Sequence, residues 1–477
     1  MGCRFHYNKD NIVNCTGKGR VGDISQKDTP EAAPHASYYN ALKYQYLKRF
    51  DPEANMLDWS ADSYYETEVT ATKELASGLK LTSYQWKNVP RKMHVLEIDL
   101  TSTAIDLTTA FANDIVPNPN GNENNNNGFV IRETLSQLCE RKRTEGEEVY
   151  AGFNTGFFDS NDGFARGIHI EEGEPVFINN QGVRKSLVNH TWAFTLFTDN
   201  TASCGKKEFS GMMEIAGKEY EYFSVNDTIV RNGSKTYYAN LYTSRYKEVP
   251  HASHPELVNP LSKTAYYVVA KYSNGVMTVN NGYAEATVTA IYDGRTTALD
   301  KAPYLEAADE VAIQITGDAA AEIAAALKVG DTVKLKADVT VDGQTKPIYT
   351  QNSTMFQFLK DGKDNTASLA EDSSNNTKFD PITFAAIDQA GTKVWFVEVD
   401  GRQIDLSAGV WTSMGLKAYE MAQVASRLGA YDMTRFDGGG SSAMWAYTDG
   451  MGALVNTPSD EKGERSCMNY IYIRARK

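Results

Sequence analysis

Apolar and polar residues alternate with a period of two through MHVLEIDL (Met93–Leu100), which predicts a strand with one buried face. TYYANLYTSRY (Thr236–Tyr246), AYYVVAKYS (Ala265–Ser273) and TVKLKADVTV (Thr332–Val341) read as strands too, separated by turn signals such as Asn-Gly. Val149–Asp159 predicts a strand running into a glycine-broken turn. Ile382–Asp388 and Lys393–Arg402 predict two strands around a turn at Gly391. Helical spacing is confined to a few segments. Phe129–Arg143 has it and ends in a basic turn that suits the helix dipole. Ala319–Asp331 predicts a short helix ending at Gly330. Ser413–Ala430 carries Leu416, Met421, Val424, Ala425 and Leu428 on one face, with Gly429 as C-cap. Ala33–Phe50 has partial helical spacing.

These elements predict an α+β fold, a large mixed sheet with a few helices. Residues 1–75 read as an N-terminal extension and 76–477 as the main domain, with a mostly β insertion at about 200–365. The asparagine-rich GNENNNNG (Gly121–Gly128) reads as a solvated loop.

The chain has 477 residues, 41% of them hydrophobic, so it can bury a core. Its net charge of −13 argues against nucleic acid as the partner. No run of 18 apolar residues occurs, so no membrane-spanning helix is expected. The start MGCRFHYNKD lacks the apolar stretch of a signal peptide. The 5 cysteines are scattered and form no CxxC; at most they form two pairs. No His, Cys or carboxylate group has metal-ligand spacing, so no metal and no other cofactor is expected. Oxygen ligands for Ca²⁺ leave no reliable spacing, so that ion stays open.

One stretch needs a chemical explanation. FDGGGSSAMW (Phe436–Trp445) places three glycines and two serines after one aspartate. A nucleophile elbow would need a helix after the serine, and a phosphate loop would need Gly-Lys-Ser/Thr and a helix. Here a strand follows. A plain hairpin turn needs fewer glycines. Three glycines let backbone N–H groups crowd around an anion, with hydroxyls as further donors and a carboxylate at the edge.

With its flanking motifs, this stretch resembles the phosphodiester glycosidase family. Asn154-Thr-Gly-Phe-Phe158 comes first, then Asp400-Gly-Arg402, then Gly415, Glu420 and Ala422 on a helix. Asp437-Gly-Gly-Gly-Ser-Ser442 follows, then Asn456-x-Pro-Ser459 and Arg465. The resemblance covers about 80–477. It implies a secreted or extracytoplasmic hydrolase of carbohydrate metabolism. Such an enzyme breaks the anomeric C–O bond of a sugar-1-phosphodiester, for instance of N-acetylglucosamine, within a phosphorylated glycan or cell-wall polymer. In one place the chain departs from the family. Phe384-Ala-Ala-Ile-Asp388 stands where Arg-Thr-Ala-Ile-Gly is usual, which leaves three readings open: Arg435 replaces the missing charge from another position, the substrate differs, or activity is lost.

The resemblance and the chemistry assign roles together. Asp437 is the carboxylate expected to act as nucleophile or general base, and Asp400 is the second catalytic carboxylate. Arg402 and Arg465 are expected to bind the diester anion, since a guanidinium fork matches phosphate oxygens. Gly438, Gly439 and Gly440 are expected to supply backbone donors, and Ser441 and Ser442 hydroxyls. Asn154, Gly156, Asn456 and Ser459 complete the substrate-binding set. Asp159 is a weaker candidate, and Glu420 reads as structural. Two other functions stay open: a catalytically inactive phosphoglycan-binding module and a serine esterase acting through Ser441 or Ser442.

Overall fold

The computed structural model describes residues 4–8, 11–16, 61–118, 132–158, 165–179, 191–227, 236–248, 262–366, 379–405 and 410–477. Ala33–Phe50, the asparagine-rich loop and Asp159 lie outside these residues.

The alternating segments become strands of three sheets, and the α+β expectation is met. In the first sheet, eight strands run in the order 363–364, 357–360, 432–435, 382–387, 393–399, 92–99, 79–86 and 67–76. The strand Thr67–Ala76, which spans the boundary read at 75/76, is its edge. In the second sheet, five strands run 451–454, 444–448, 149–154, 469–475 and 105–111. Period-two burial decides how the two pack. On Lys393–Val399, Val394 and Phe396 face the five-stranded sheet; Trp395, Val397 and Val399 face the other way. Phe153 and Phe396 stack at 5.2 Å across the interface. The helix Met421–Arg427 covers the outer face of the larger sheet through Met421, Val424 and Ala425. The helix Leu135–Thr144 covers the smaller one through Leu135, Leu138 and Cys139.

The third sheet takes most of the middle of the chain. Its twelve strands begin with Trp192–Phe197 and end with Lys218–Tyr222, and Trp192–Phe197 also pairs with Ala202–Ile215, so the ladder closes on itself. Aliphatic residues such as Ile170, Val268, Ile313 and Leu335 share one core, which Ala320 and Ile323 of the helix Asp318–Ala326 join. Closure leaves few exposed edges.

Three helices differ from their sequence reading; the one read as Ala319–Asp331 spans Asp318–Ala326 and stops before Gly330. Thr134 and Gln137 form a reciprocal cap, so the first starts at Leu135. The segment 413–430 is not one helix. Val410–Ser413 is a strand, Gly415 has φ +99° with its backbone against Asp380, and helix begins only with the 3-10 turn Ala418–Glu420. Cys139, Cys204 and Cys467 are free and buried.

Candidate active site

The glycine loop carries the chain from one sheet of the sandwich to the other. Asp432–Arg435 ends the path in the eight-stranded sheet, Phe436 is buried between the sheets, and Met444 enters the five-stranded sheet. A strand follows the loop, so neither a nucleophile elbow nor a phosphate loop is formed.

Each glycine has its own steric reason. The backbone at Gly438 passes the Pro381 carbonyl oxygen, where a Cβ would come within 2.8 Å. Gly439 has φ +64° and lies 3.5 Å from the Arg402 guanidinium when a Cβ is built on it. A Cβ on Gly440 would overlap Arg465 and both carboxylate oxygens of Asp460. The backbone donors are less available than the sequence suggests. Gly439 N–H donates to Pro381 O at 2.9 Å, and the Gly438 N–H hydrogen-bonds the Asp437 carboxylate. The three glycines thus answer three different constraints: the Pro381 carbonyl at Gly438, a positive φ at Gly439, and the Arg465–Asp460 pair at Gly440.

Two asparagines fasten the loop. Asn154 ends the strand Val149–Asn154 and is 1% exposed. Its Nδ2 donates to Asp437 O at 2.6 Å and to Thr383 Oγ1 at 3.2 Å, while Ala443 N–H donates to its Oδ1 at 3.0 Å. Thr383 Oγ1 also donates to Asp437 O, and Asp437 N–H donates to Thr155 O. Asn456 repeats the device: its Oδ1 accepts from Met444 N–H and its Nδ2 donates to Ser442 O. Both asparagines thus hold the loop in place. Gly156 lets Asn469 approach the backbone closely.

Asp437 is half-buried. Burial pushes its carboxyl above the ordinary aspartate range, and Ser441, Arg465 and Arg435 pull it back. Three guanidinium groups surround the loop. Arg402, in a left-handed backbone conformation, donates from Nε and Nη2 to Asp380 Oδ1 at 3.0 and 2.7 Å. Asp380 is itself held where Gly415 abuts it. Arg465 grips Asp460 with both prongs, at 2.8 and 3.0 Å, and reaches Ser441 Oγ at 3.4 Å. Arg435 is the cross-strand register partner of Phe384, and its Nη2 lies 3.6 Å from a Cβ built on Gly438. Its charge thus enters from the strand next to the one where the resemblance expects an arginine.

Asp400 does not join this group. It is 1% exposed, its Oδ1 accepts from Thr457 N–H at 2.8 Å, and it gathers with His94 and Glu398. Burial raises its pKa to about 6, against the pull of Thr457 and Lys92. In this enclosed position its carboxyl is bonded to Thr457 rather than to the glycine loop. Ser441, Ser442 and Ser459 are buried at or near the loop. Glu420 accepts from Lys417 N–H and lies 3.5 Å from the buried Arg91, a structural position. Sequence reasoning missed Asp380, Asp460, Thr383 and Asn469. Asp460 directly follows the Asn456–Ser459 motif; for the others no local pattern exists.

Residues 273–474 match the phosphodiester glycosidase family model. No curated protein matches the sequence. A hypothetical protein from Synechocystis is similar in structure, with TM-score 0.56 and 17% identity, over 86% of this chain and 64% of that one. A candidate exported protein from Burkholderia pseudomallei gives TM-score 0.52 and 18% identity over 82% and 74% of the two chains. The catalytic domain of zebrafish N-acetylglucosamine-1-phosphodiester alpha-N-acetylglucosaminidase, auto-inhibited by its pro-peptide, gives 0.37 and 12% over 86% and 87%. This chain therefore spans about two thirds of the Synechocystis protein and shares its fold. The resemblance carried by the glycine loop is borne out, since residues 273–474, which include that loop, match the model of the phosphodiester glycosidase family.

Proposed function

We propose that the protein hydrolyses the anomeric C–O bond of a sugar-1-phosphodiester, such as an N-acetylglucosamine-1-phosphodiester in a glycan or cell-wall polymer. The observation that carries this reading is one half-buried carboxyl, Asp437, beside a loop flanked by Arg402, Arg435 and Arg465. The arginines receive the diester anion and stabilise it as it leaves. A phosphate leaving group is a weak base and needs little help from a general acid. One carboxylate at the anomeric carbon is therefore enough, as nucleophile or as base for water. Asp400 instead holds the turn that presents Arg402. Asn154, Asn456 and Gly156 keep the loop in register, while Ser441, Ser442 and Ser459 line its inner side. The catalytic unit is the domain 76–477 with its edge strand. We also propose that the protein acts outside the cytoplasm, a reading supported by the similarity to a candidate exported protein from Burkholderia.

Turnover tests the reading. Incubation with a GlcNAc-1-phosphodiester is expected to release free sugar and an intact phosphomonoester, and Asp437→Asn is expected to abolish release. Binding without turnover would support the inactive phosphoglycan-binding module. Trapping of Ser441 or Ser442 by a serine-directed phosphonate would support an esterase.

A further inference from the structure

The end of the inner sandwich face holds a cluster that the glycosidase reading does not use. His94 on Lys92–Asp99 and Glu398 on Lys393–Val399 are directly opposed in register, and Asp400 follows on the same side. Their exposures are 8%, 0% and 1%. One donor atom from each lies within 4.8 Å of the others. Neither carboxylate oxygen of Glu398 has a hydrogen-bond partner among the described residues. Protein interiors do not leave such a group unpaired without cause. The other two side chains are steered from behind. Ser83 Oγ is 2.8 Å from His94 Nδ1, which leaves Nε2 as the ring nitrogen for a ligand. Thr457 N–H holds Asp400 Oδ1.

We propose that His94, Glu398 and Asp400 bind one divalent transition ion of the Zn²⁺ class. A neutral imidazole and two carboxylates match a charge of +2. One nitrogen and two oxygens suit Zn²⁺, whereas Ca²⁺ takes six to eight oxygens. Bonds of about 2.0–2.2 Å need only small side-chain rotations from the present spacing. The ion ties the ends of two neighbouring strands to the turn that precedes Arg402. The assignment stands on these three side chains and not on the reaction at the glycine loop.

The test uses the full chain without a histidine tag. The protein is stripped with EDTA, dialysed against ZnCl₂, gel-filtered, and measured for bound zinc and for melting temperature. The expected result is a single zinc per chain and a raised melting temperature. Glu398→Gln keeps the side chain's shape and removes its charge. It is expected to lose both the zinc and the zinc-dependent rise, while its metal-free form melts no lower than the metal-free wild type. His94→Gln is expected to lose the zinc as well and serves if the first variant does not fold. Absence of zinc from the wild type, equal zinc in wild type and variants, or retention of Ca²⁺ or Mg²⁺ in place of Zn²⁺ would overturn the proposal.

Discussion

Asn154 holds Asp437 across 283 residues of sequence, donating from Nδ2 to its carbonyl oxygen at 2.6 Å. The same side chain accepts from Ala443 N–H, so one amide fixes both ends of the glycine loop. Asn154→Ala leaves a buried carbonyl and a buried N–H without these partners. Thr383 Oγ1 still donates to the Asp437 carbonyl, so the loss is expected to be about 1–3 kcal/mol in denaturant unfolding, with a lower kcat because the loop holds Asp437 less firmly. Unchanged stability would show that the loop is held elsewhere.

Asp437→Asn separates chemistry from folding. Loss of the acting carboxylate is expected to lower kcat by about a hundredfold or more. Stability should move the other way. The folded-state pKa of Asp437 is raised, so the ionised form is penalised in the native protein. No penalty applies below the unfolded-state pKa. The penalty develops as pH rises through the folded-state pKa and is complete above it. The variant is therefore expected to match the wild type in acid and to be at least as stable at neutral pH. Thermal melts at both pH values check this. Activity of the wild type is expected to fall on acidification at a higher pH than an ordinary aspartate would give.

Arg465 and Asp460 make opposite predictions. Arg465→Lys keeps the charge and loses the two-pronged fork, so it is expected to weaken binding of a phosphodiester analogue more than that of the neutral sugar. Asp460→Asn removes the anion that occupies the fork. It is expected to strengthen analogue binding on the order of a few-fold. Calorimetric titration distinguishes them; equal losses for both ligands in the arginine variant would mark a structural role.

Gly440→Ala places a methyl group where Arg465 and Asp460 meet. Both side chain ends can shift, so the fold is expected to survive. Affinity for the phosphodiester analogue is expected to fall with it. A fully active variant would dissociate the glycine from the ion pair.

How far the sequence disclosed all this depended on whether the cause was local. Thr332–Val341 alternates so regularly that its burial follows its pattern residue for residue. The loop was legible because three adjacent glycines are costly and needed a reason. The segment 413–430 misled because its apolar spacing continues through a turn imposed by Asp380, a contact with another part of the chain. Closure of the large ladder depends on pairing between Trp192–Phe197 and Ile348–Thr354, segments far apart in the chain that no window of sequence contains. His94, Glu398 and Asp400 escaped any search for ligand spacing because strand register, not sequence distance, brings them together. Asp400 directly follows the strand Lys393–Val399, and its carboxyl gathers with His94 and Glu398.

Hydrolysis of a glycosyl-phosphodiester in ¹⁸O-water tests the central claim most directly. Attack at the anomeric carbon by Asp437 or by a water it activates puts the solvent oxygen on the sugar. The account predicts label on the anomeric hydroxyl and an unlabelled phosphomonoester. Label in the phosphate would show attack at phosphorus and would contradict the glycosidase mechanism, even with every residue named above essential.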